Sequence, residues 1–355
     1  MTARDPVADL RDIAFRLERA NEATYRVQAF RSAAKAIAAV DPAELAARAA
    51  DGTLRKLPGV GEVTARCVAE SLAGEEPVYL RRLIATSTVD LDDAAVALRQ
   101  ALVGDCHSHS DWSDGGSPVE EMALAAVGLG HRYLVVTDHS PRLTVANGLT
   151  ASRLRQQLKL IKAINDGLPE EFRLLTGIEV DILADGSLDQ DPALLAQLDV
   201  VVGSVHSGLR DDRAVMTHRM LTAIANPHLD ILGHCTGRRL AAGDGDGDGG
   251  DRAHRRGRAR PESTFDAEAV FAACARYDKA VEINCRPDRL DPPKRLLRLA
   301  VEAGCRFSID TDAHAPGQLD WLPNGCERAA RCAVPVDSVV NTWTVDRLLD
   351  WAGSH

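Results

Sequence analysis

Apolar residues recur at helical spacing through the first 85 positions. Val7, Leu10, Ile13, Ala14 and Leu17 form one stripe, and Val27, Phe30, Ala33, Ala34, Ile37 and Val40 form a second. Asp41-Pro42 offers a cap and a first-turn proline for a third short helix. In LRKLPGVGEVTARCVAESLAG, Leu54 and Leu57 close a short helical piece and Pro58-Gly59-Val60-Gly61 makes a tight turn. Val63, Ala65, Val68 and Leu72 then run down a further helix that stops at Gly74.

The texture changes near Val103. Short apolar runs (YLVVT, LLTGIEVDI, DVVVGSV, DILGH, AVEIN, FSIDT) alternate with helical stretches such as ASRLRQQLKLIKAIND and PKRLLRLAVEAG. Strands alternating with helices predict an α/β fold with a parallel sheet or barrel buried on both faces. The chain therefore divides into a small all-α domain over 1–85, a linker over 86–102 and a larger α/β domain over 103–355. Residues 241–261, Gly/Asp-rich and then Arg-rich, read as a flexible insertion. Asp244, Asp246, Asp248 and Gly249 imitate a calcium loop. Arg255 occupies the twelfth position, where a bidentate Glu is required, so calcium is rejected there.

Composition is that of an ordinary globular chain, 45% hydrophobic and 26% charged. No apolar run reaches the roughly 18 residues of a membrane span, and the N-terminus lacks a signal-like apolar core, which predicts a cytoplasmic protein with no membrane partner. The eight cysteines form no CxxC pair and read as reduced thiols. Cys106 and Cys235 adjoin histidines, but neighbours on a strand face opposite ways, which argues against their being ligands. The net charge is −10, yet the first 85 residues hold 13 basic against 12 acidic side chains. The acidity lies in the second domain, which cannot hold DNA by diffuse counterion release; affinity for nucleic acid must be local.

The chemistry begins at GDCHSHSDWSDGG, where His107 and His109 are spaced to face one spot and the following turn can swing Asp114 toward it. His139, Glu179, His206, His234, Asp312 and His314 each fall at or just past the end of a predicted strand. In a parallel barrel those ends converge on one face, where active sites are built. Six His, two Asp and one Glu exceed the needs of one ion and suit three, with mixed N/O donors fitting Zn, Mn or Fe.

The motifs HSHSDWSDG, TDHS, GIEVDI, GSVHS and TDAH, over residues 103–345, resemble the PHP (polymerase and histidinol phosphatase) family. That likeness implies a distorted (β/α)7 barrel and a trinuclear phosphoesterase centre. It implies that His107, His109, Glu179 and Asp312 hold one ion, bridging Glu179 with His206 and His234 a second, and Asp114, His139 and His314 the third. Divalent ions activate water as the nucleophile, so Glu179 and Asp312 act through metal and no side-chain nucleophile is required. Arg238 and Arg286 are candidate phosphate-binding forks, Arg238 the stronger, and Asp138 a candidate partner that orients a ligand histidine.

The first domain resembles a helix-hairpin-helix, and YRVQAFRSAAKAI with LRKLPGVG resembles the small N-terminal domain of family-X DNA polymerases. The likeness implies DNA binding through Lys56, Gly59, Val60 and Gly61, a phosphate meeting backbone N–H groups at a helix start. The alternative is a structural αα-hairpin without a ligand. Only about twenty residues separate the two parts, which leaves no room for a polymerase core. The position that carries the lyase lysine in some of these domains is Cys67, and the domain's lysines are Lys35 and Lys56. The expected function is phosphate-ester hydrolysis at DNA ends in repair, as a 3′-5′ exonuclease, 3′-phosphatase or abasic-site endonuclease. The alternative is a small-molecule phosphatase of the histidinol-phosphatase type, with the first domain an interaction module.

Overall fold

The computed structural model describes residues 4–86, 89–240 and 259–354 and divides into two compact units, Met1–Asp90 and Leu91–His355. The calcium-like loop and most of the expected insertion lie outside the described residues.

The first unit contains α1 (Pro6–Arg19), α2 (Thr24–Ala38), α3 (Pro42–Ala50), α4 (Glu62–Leu72) and α5 (Val78–Ala85). Asp5 accepts from the Val7 N–H at 2.8 Å and Asp41 from the Ala43 N–H at 2.9 Å, each just ahead of a first-turn proline. The two predicted stripes bury Leu10, Ile13, Leu17, Phe30, Ala33 and Ile37 in one core, joined by Val60, Val68 and Leu80. Gly59 in the hairpin adopts φ +83°, a region glycine enters without steric cost.

The second unit opens with α6 (Asp93–Ala101), whose Ala95 and Leu98, with Leu102 behind them, are buried in the barrel's main core. Much of the stretch expected as a linker is thus an integral helix, because three apolar side chains there find a dry partner surface. Strands β1 (Gly104–Ser108), β2 (Tyr133–Val136), β3 (Arg173–Asp181), β4 (Val200–Ser204), β5 (Ile231–Leu232), β6 (Ala280–Asn284) and β7 (Arg306–Asp310) pair in parallel in chain order. A parallel bridge from Ser108 to Ala313 brings the last strand back beside the first, giving a nearly closed seven-stranded barrel. Around it run α7 (Val119–Gly128), α8 (Ala151–Asn165), α9 (Pro192–Leu195), α10 (Arg213–Ile224), α11 (Ala267–Arg276), α12 (Lys294–Glu302), α13 (Leu322–Arg331) and α14 (Val345–Ala352).

Alternate strand residues Cys106, Tyr133, Val135, Leu175, Val200, Val202 and Ala280 fill one end of the barrel together with Trp343 and Trp351. The strand period of two then carries Leu175 to Glu179 on β3 and Ala280 to Glu282 on β6 along the same face. Between Asp105 and Ser108 the register of β1 against β2 slips by one residue. That bulge lets Cys106 join the barrel filling while the adjacent His107 meets Glu282 at 2.5 Å on β6.

Candidate metal centre

All nine expected ligands lie at one rim of the barrel. Glu179 is at the centre and 1% exposed. Its Oε1 lies 2.8 Å from His234 Nε2 and 3.3 Å from His206 Nε2; its Oε2 lies 2.8 Å from His139 Nδ1, 3.4 Å from His107 Nε2 and 3.5 Å from His109 Nε2. Asp312, at φ +51°, places Oδ1 3.4 Å from His109 Nε2. Asp114 Oδ1 lies 3.4 Å from both His139 Nε2 and His314 Nε2.

Three groups have mutually close ligand atoms: His107, His109 and Asp312; His139, Glu179 and His206; and His109, Asp114, His139 and His314. His109 therefore borders the third group as well as the first, and His139 adjoins Glu179 as well as Asp114. No group among the described residues includes Cys106 or Cys235.

Divalent metals fit this donor set. The buried His107 Nε2, both ring nitrogens of His109 and His206, and both Glu179 oxygens have no hydrogen-bond partner. Such orphaned polar atoms are costly to bury. Separations of 3.3–3.5 Å exceed good hydrogen bonds yet match the roughly 3.4 Å edge of a tetrahedron with about 2.1 Å metal–ligand bonds.

Protonation preferences follow from the surroundings. Burial, with His314 and His139 nearby, pushes His109 down to about 3. Burial and Arg289 push His234 down to about 3. Both rings are thus neutral, the form that ligates metal. Burial would lower His206, but Glu179 and Asp181 outweigh it and raise the ring to about 9. Burial would likewise raise Asp312, but Arg286 and Arg289 hold it well below the usual carboxylate range.

A second layer of side chains fixes the rim. Glu282 Oε1 holds His107 Nδ1 at 2.5 Å, while its other oxygen accepts the His234 backbone N–H at 2.5 Å. Asp181 Oδ1 accepts the His206 backbone N–H at 3.2 Å and lies 3.5 Å from His206 Nδ1. Neither carboxylate was singled out from sequence, although acidic residues inside the otherwise apolar runs AVEIN and GIEVDI are a legible signal, since burying a charge demands a partner.

Asp138 does not orient a histidine. It accepts from the Ser110 N–H at 2.8 Å, Ser110 Oγ and Ser113 Oγ at 2.5 Å and Gln157 Nε2 at 2.6 Å, clamping the loop that delivers Asp114. That loop folds tightly: the Gly115 N–H donates to Ser110 O at 2.9 Å, and a Cβ at Gly115 would come within 2.7 Å of the Ser110 backbone.

Arg238 also departs from expectation. Its Nε donates to the Arg289 carbonyl at 3.0 Å and a terminal nitrogen donates to the Leu290 carbonyl. It clamps the 286–290 loop rather than presenting a fork to substrate. The guanidiniums at the rim are Arg286, with Nη1 3.1 Å from His314 Nδ1, and Arg289, with Nε 3.1 Å from Asp312 Oδ2. Arg289 was missed from sequence because nothing in RPDRL distinguishes it from a surface residue.

In the first unit, the Gly61 N–H is taken by Thr64 Oγ1 at 2.9 Å. Glu62 and Val63, next along the first turn of α4, are exposed, and among the described residues no acceptor meets their N–H groups, as first-turn N–H groups have none within the helix. Lys56 is exposed nearby in sequence, whereas Val60 is buried in the helical core. Burial pushes the Cys67 thiol up to about 11.

The barrel and its rim of histidines and carboxylates define the class, a metal-dependent phosphoesterase. A PHP domain model matches residues 105–286 and a helix-hairpin-helix domain model residues 1–76. The chain belongs to the PHP domain family. It is 40% identical over 238 residues to the DNA polymerase/3′-5′ exonuclease PolX of Bacillus subtilis (strain 168), a match covering 67% of this chain and 39% of that protein. It is 26% identical over 252 residues to a "probable phosphatase" of Thermoanaerobacter sp. (strain X514), covering 68% of this chain and 91% of the relative. Among solved structures, the histidinol phosphate phosphatase of Lactococcus lactis subsp. lactis Il1403, complexed with zinc, L-histidinol and phosphate, aligns with a TM-score of 0.43 at 19% identity, over 64% of this chain and 91% of that one. Among the described residues no helix is long and apolar enough to cross a membrane.

Proposed function

We propose that this protein hydrolyses phosphate esters at DNA ends in repair, as a 3′-5′ exonuclease, 3′-phosphatase or abasic-site endonuclease. The observation that carries the reading is the pairing, in one chain, of the metal-ligand rim with a helix-hairpin-helix whose second helix leaves first-turn N–H groups open to a phosphate. Three divalent ions, zinc, manganese or iron, would be held by His107, His109, Glu179 and Asp312; by Glu179, His206 and His234; and by Asp114, His139 and His314. Bound ions of this kind supply Lewis acidity and an activated water.

The chain's own groups do the remaining work. Glu282 fixes the ring of His107 through Nδ1, leaving Nε2 toward Glu179, and Asp181 holds the backbone N–H of His206. Arg286, beside His314, presents a guanidinium to a phosphate oxygen at the rim. Asp138 clamps the loop that carries Asp114 through Ser110 and Ser113, so little reorganisation is needed there once a phosphate enters. DNA would be gripped through Lys56 and the Gly59–Gly61 turn.

The alternative is a small-molecule phosphatase, favoured by the acidic second unit and by the 91% of the Thermoanaerobacter relative that aligns. The discriminating experiment offers metal-stripped protein, reloaded with Mn2+, Zn2+ or Fe2+, 3′-recessed, nicked and abasic DNA beside histidinol phosphate and p-nitrophenyl phosphate. Preference for DNA by kcat/KM is expected; turnover of histidinol phosphate with inert DNA would overturn the reading.

A further inference from the structure

Next to the metal rim is a cluster of positive charge that the centre does not use. Arg210, Arg239 and Arg260 line an open pocket of about 560 Å³ with Ala259, and among the described residues no acidic side chain lines it. That volume is within the roughly 300–1,000 Å³ of ordinary ligand pockets. Arg239 and Arg260 are locked together by reciprocal backbone hydrogen bonds of 2.9 Å, and the Leu240 N–H donates to Asp288 O at 2.7 Å, which ties this corner to the loop bearing Arg286 and Arg289.

Three acids of the neighbouring loops are already committed. Asp288 accepts from Arg286 Nε at 3.1 Å, Asp291 from Thr236 Oγ1 at 2.7 Å, and Asp312 faces Arg286 and Arg289. Among the described residues Arg239 Nε and Arg289 Nη1 are buried without a hydrogen-bond partner, while Arg289 Nε pairs with Asp312. Burial, with Arg289 adding to it, pushes Arg260 down to about 10 and lowers Arg239 in the same sense. Folding assembles these guanidiniums at an electrostatic cost that an anion would relieve, and the planar forks suit phosphate oxygens.

We propose that Arg210, Arg239 and Arg260 form a second anion subsite, which binds the phosphate adjacent to the one being hydrolysed. The preferred substrate then carries at least two phosphates. This rests on the phosphoesterase reading above and narrows it: a phosphomonoester alone leaves the pocket unused. The second phosphate could belong to a polynucleotide backbone or to a small bisphosphate, and the two sources are separable.

The test uses the full chain reloaded with metal, compared with Arg239→Gln and with Arg210→Gln/Arg239→Gln. Arg260 is left intact because its Nε also supports the Gly237 carbonyl at 2.6 Å. Substrates are a short single-stranded oligonucleotide, a nucleoside 3′,5′-bisphosphate and p-nitrophenyl phosphate. The double variant should raise KM at least about tenfold on the oligonucleotide while leaving p-nitrophenyl phosphate turnover and Tm unchanged, and Arg239→Lys should recover part of the loss. An equal effect on the bisphosphate assigns the subsite to any second phosphate; an effect on the oligonucleotide alone assigns it to a polynucleotide backbone. Equal losses on all three substrates, or no loss on either polyphosphorylated one, would overturn the subsite. Should the wild type cut neither the oligonucleotide nor the bisphosphate, the DNA-end reading fails. The subsite is then judged by inhibition of p-nitrophenyl phosphate turnover: pyrophosphate should compete more tightly than phosphate in the wild type, and this advantage should vanish in the double variant. A persisting or absent advantage would rule the subsite out.

Discussion

Glu282 Oε1 stands 2.5 Å from Nδ1 of His107, and both side chains are fully buried. The contact fixes which ring nitrogen faces the rim. Glu282→Gln keeps the shape but removes the charge that makes the ring a stronger donor. We expect metal affinity to fall by about 10–100-fold, with a nearly unchanged fold. Competition with a chelator, read by metal content, checks it; an unaltered affinity would show that the contact is only packing.

Glu179 has the widest reach in the centre, with His234 on one oxygen and His139 on the other, each at 2.8 Å. A neutral amide cannot serve as a carboxylate on both sides. Glu179→Gln should therefore cost at least two equivalents of metal per chain and abolish hydrolysis. Elemental analysis showing the loss of only one would make the carboxylate a terminal ligand.

His107→Ala together with His109→Ala should abolish hydrolysis without unfolding the protein, because the rings line a rim whose strands are held by backbone pairing. Circular dichroism and phosphatase assays on one preparation test it. Retained activity alongside a lowered metal content would remove this pair from the chemistry.

A Cβ at Gly61 would meet nothing within 4 Å, and its backbone is in an ordinary extended region, so Gly61→Val should fold. Its isopropyl group would stand where a phosphate approaches the Glu62 and Val63 N–H groups. We expect weaker binding of long DNA, a shallower salt dependence and unchanged turnover of p-nitrophenyl phosphate, with Lys56→Ala a milder change. Unchanged kinetics on long DNA from the folded variant would make the hairpin a structural or protein-binding element.

Asp9 joins α1 to α4 by accepting from Ser71 Oγ at 2.7 Å and pairing with Arg4 at 2.7 Å. Burial would raise its pKa, but Arg4 and Ser71 outweigh it and hold the carboxyl below its ordinary value. The resulting stability is present above the unfolded-state pKa of about 4 and is lost as pH falls through the lower folded value. Hydrogen exchange in α1 and α4 should thus be slower in the wild type than in Asp9→Asn at about pH 6, and the gap should narrow as pH falls below about 4. A gap that persists in acid would mean that the carboxylate's charge is irrelevant.

Much of the architecture was legible because it rests on periodicity. The stripes from Val7 to Val40 and the apolar runs from YLVVT to FSIDT report burial directly, and ligand residues at strand ends follow from how parallel barrels converge. What escaped is set by tertiary pairing. The slip in β1 that turns His107 toward Glu282 leaves no trace in HSHS, and Arg238 and Arg289 read alike until one is seen bonded to carbonyls and the other facing Asp312. The helix over Asp93–Ala101, DAAVALRQA, carries mostly small alanines as its apolar residues, and only tertiary contact shows Ala95 and Leu98 packed into the barrel core while Val96 is exposed.

That helix sets where the second unit can be cut free. Excision at Val103, just ahead of the first strand, would uncover the surface sealed by Ala95, Leu98 and Leu102. With large-to-small core losses costing about 2–5 kcal/mol apiece for leucines, such a fragment would be sticky and short-lived. Severed at Leu91 instead, the phosphoesterase keeps its seal, so the catalytic half can be prepared without the hairpin, and DNA affinity can be assigned to one half or the other by adding the halves back as separate pieces.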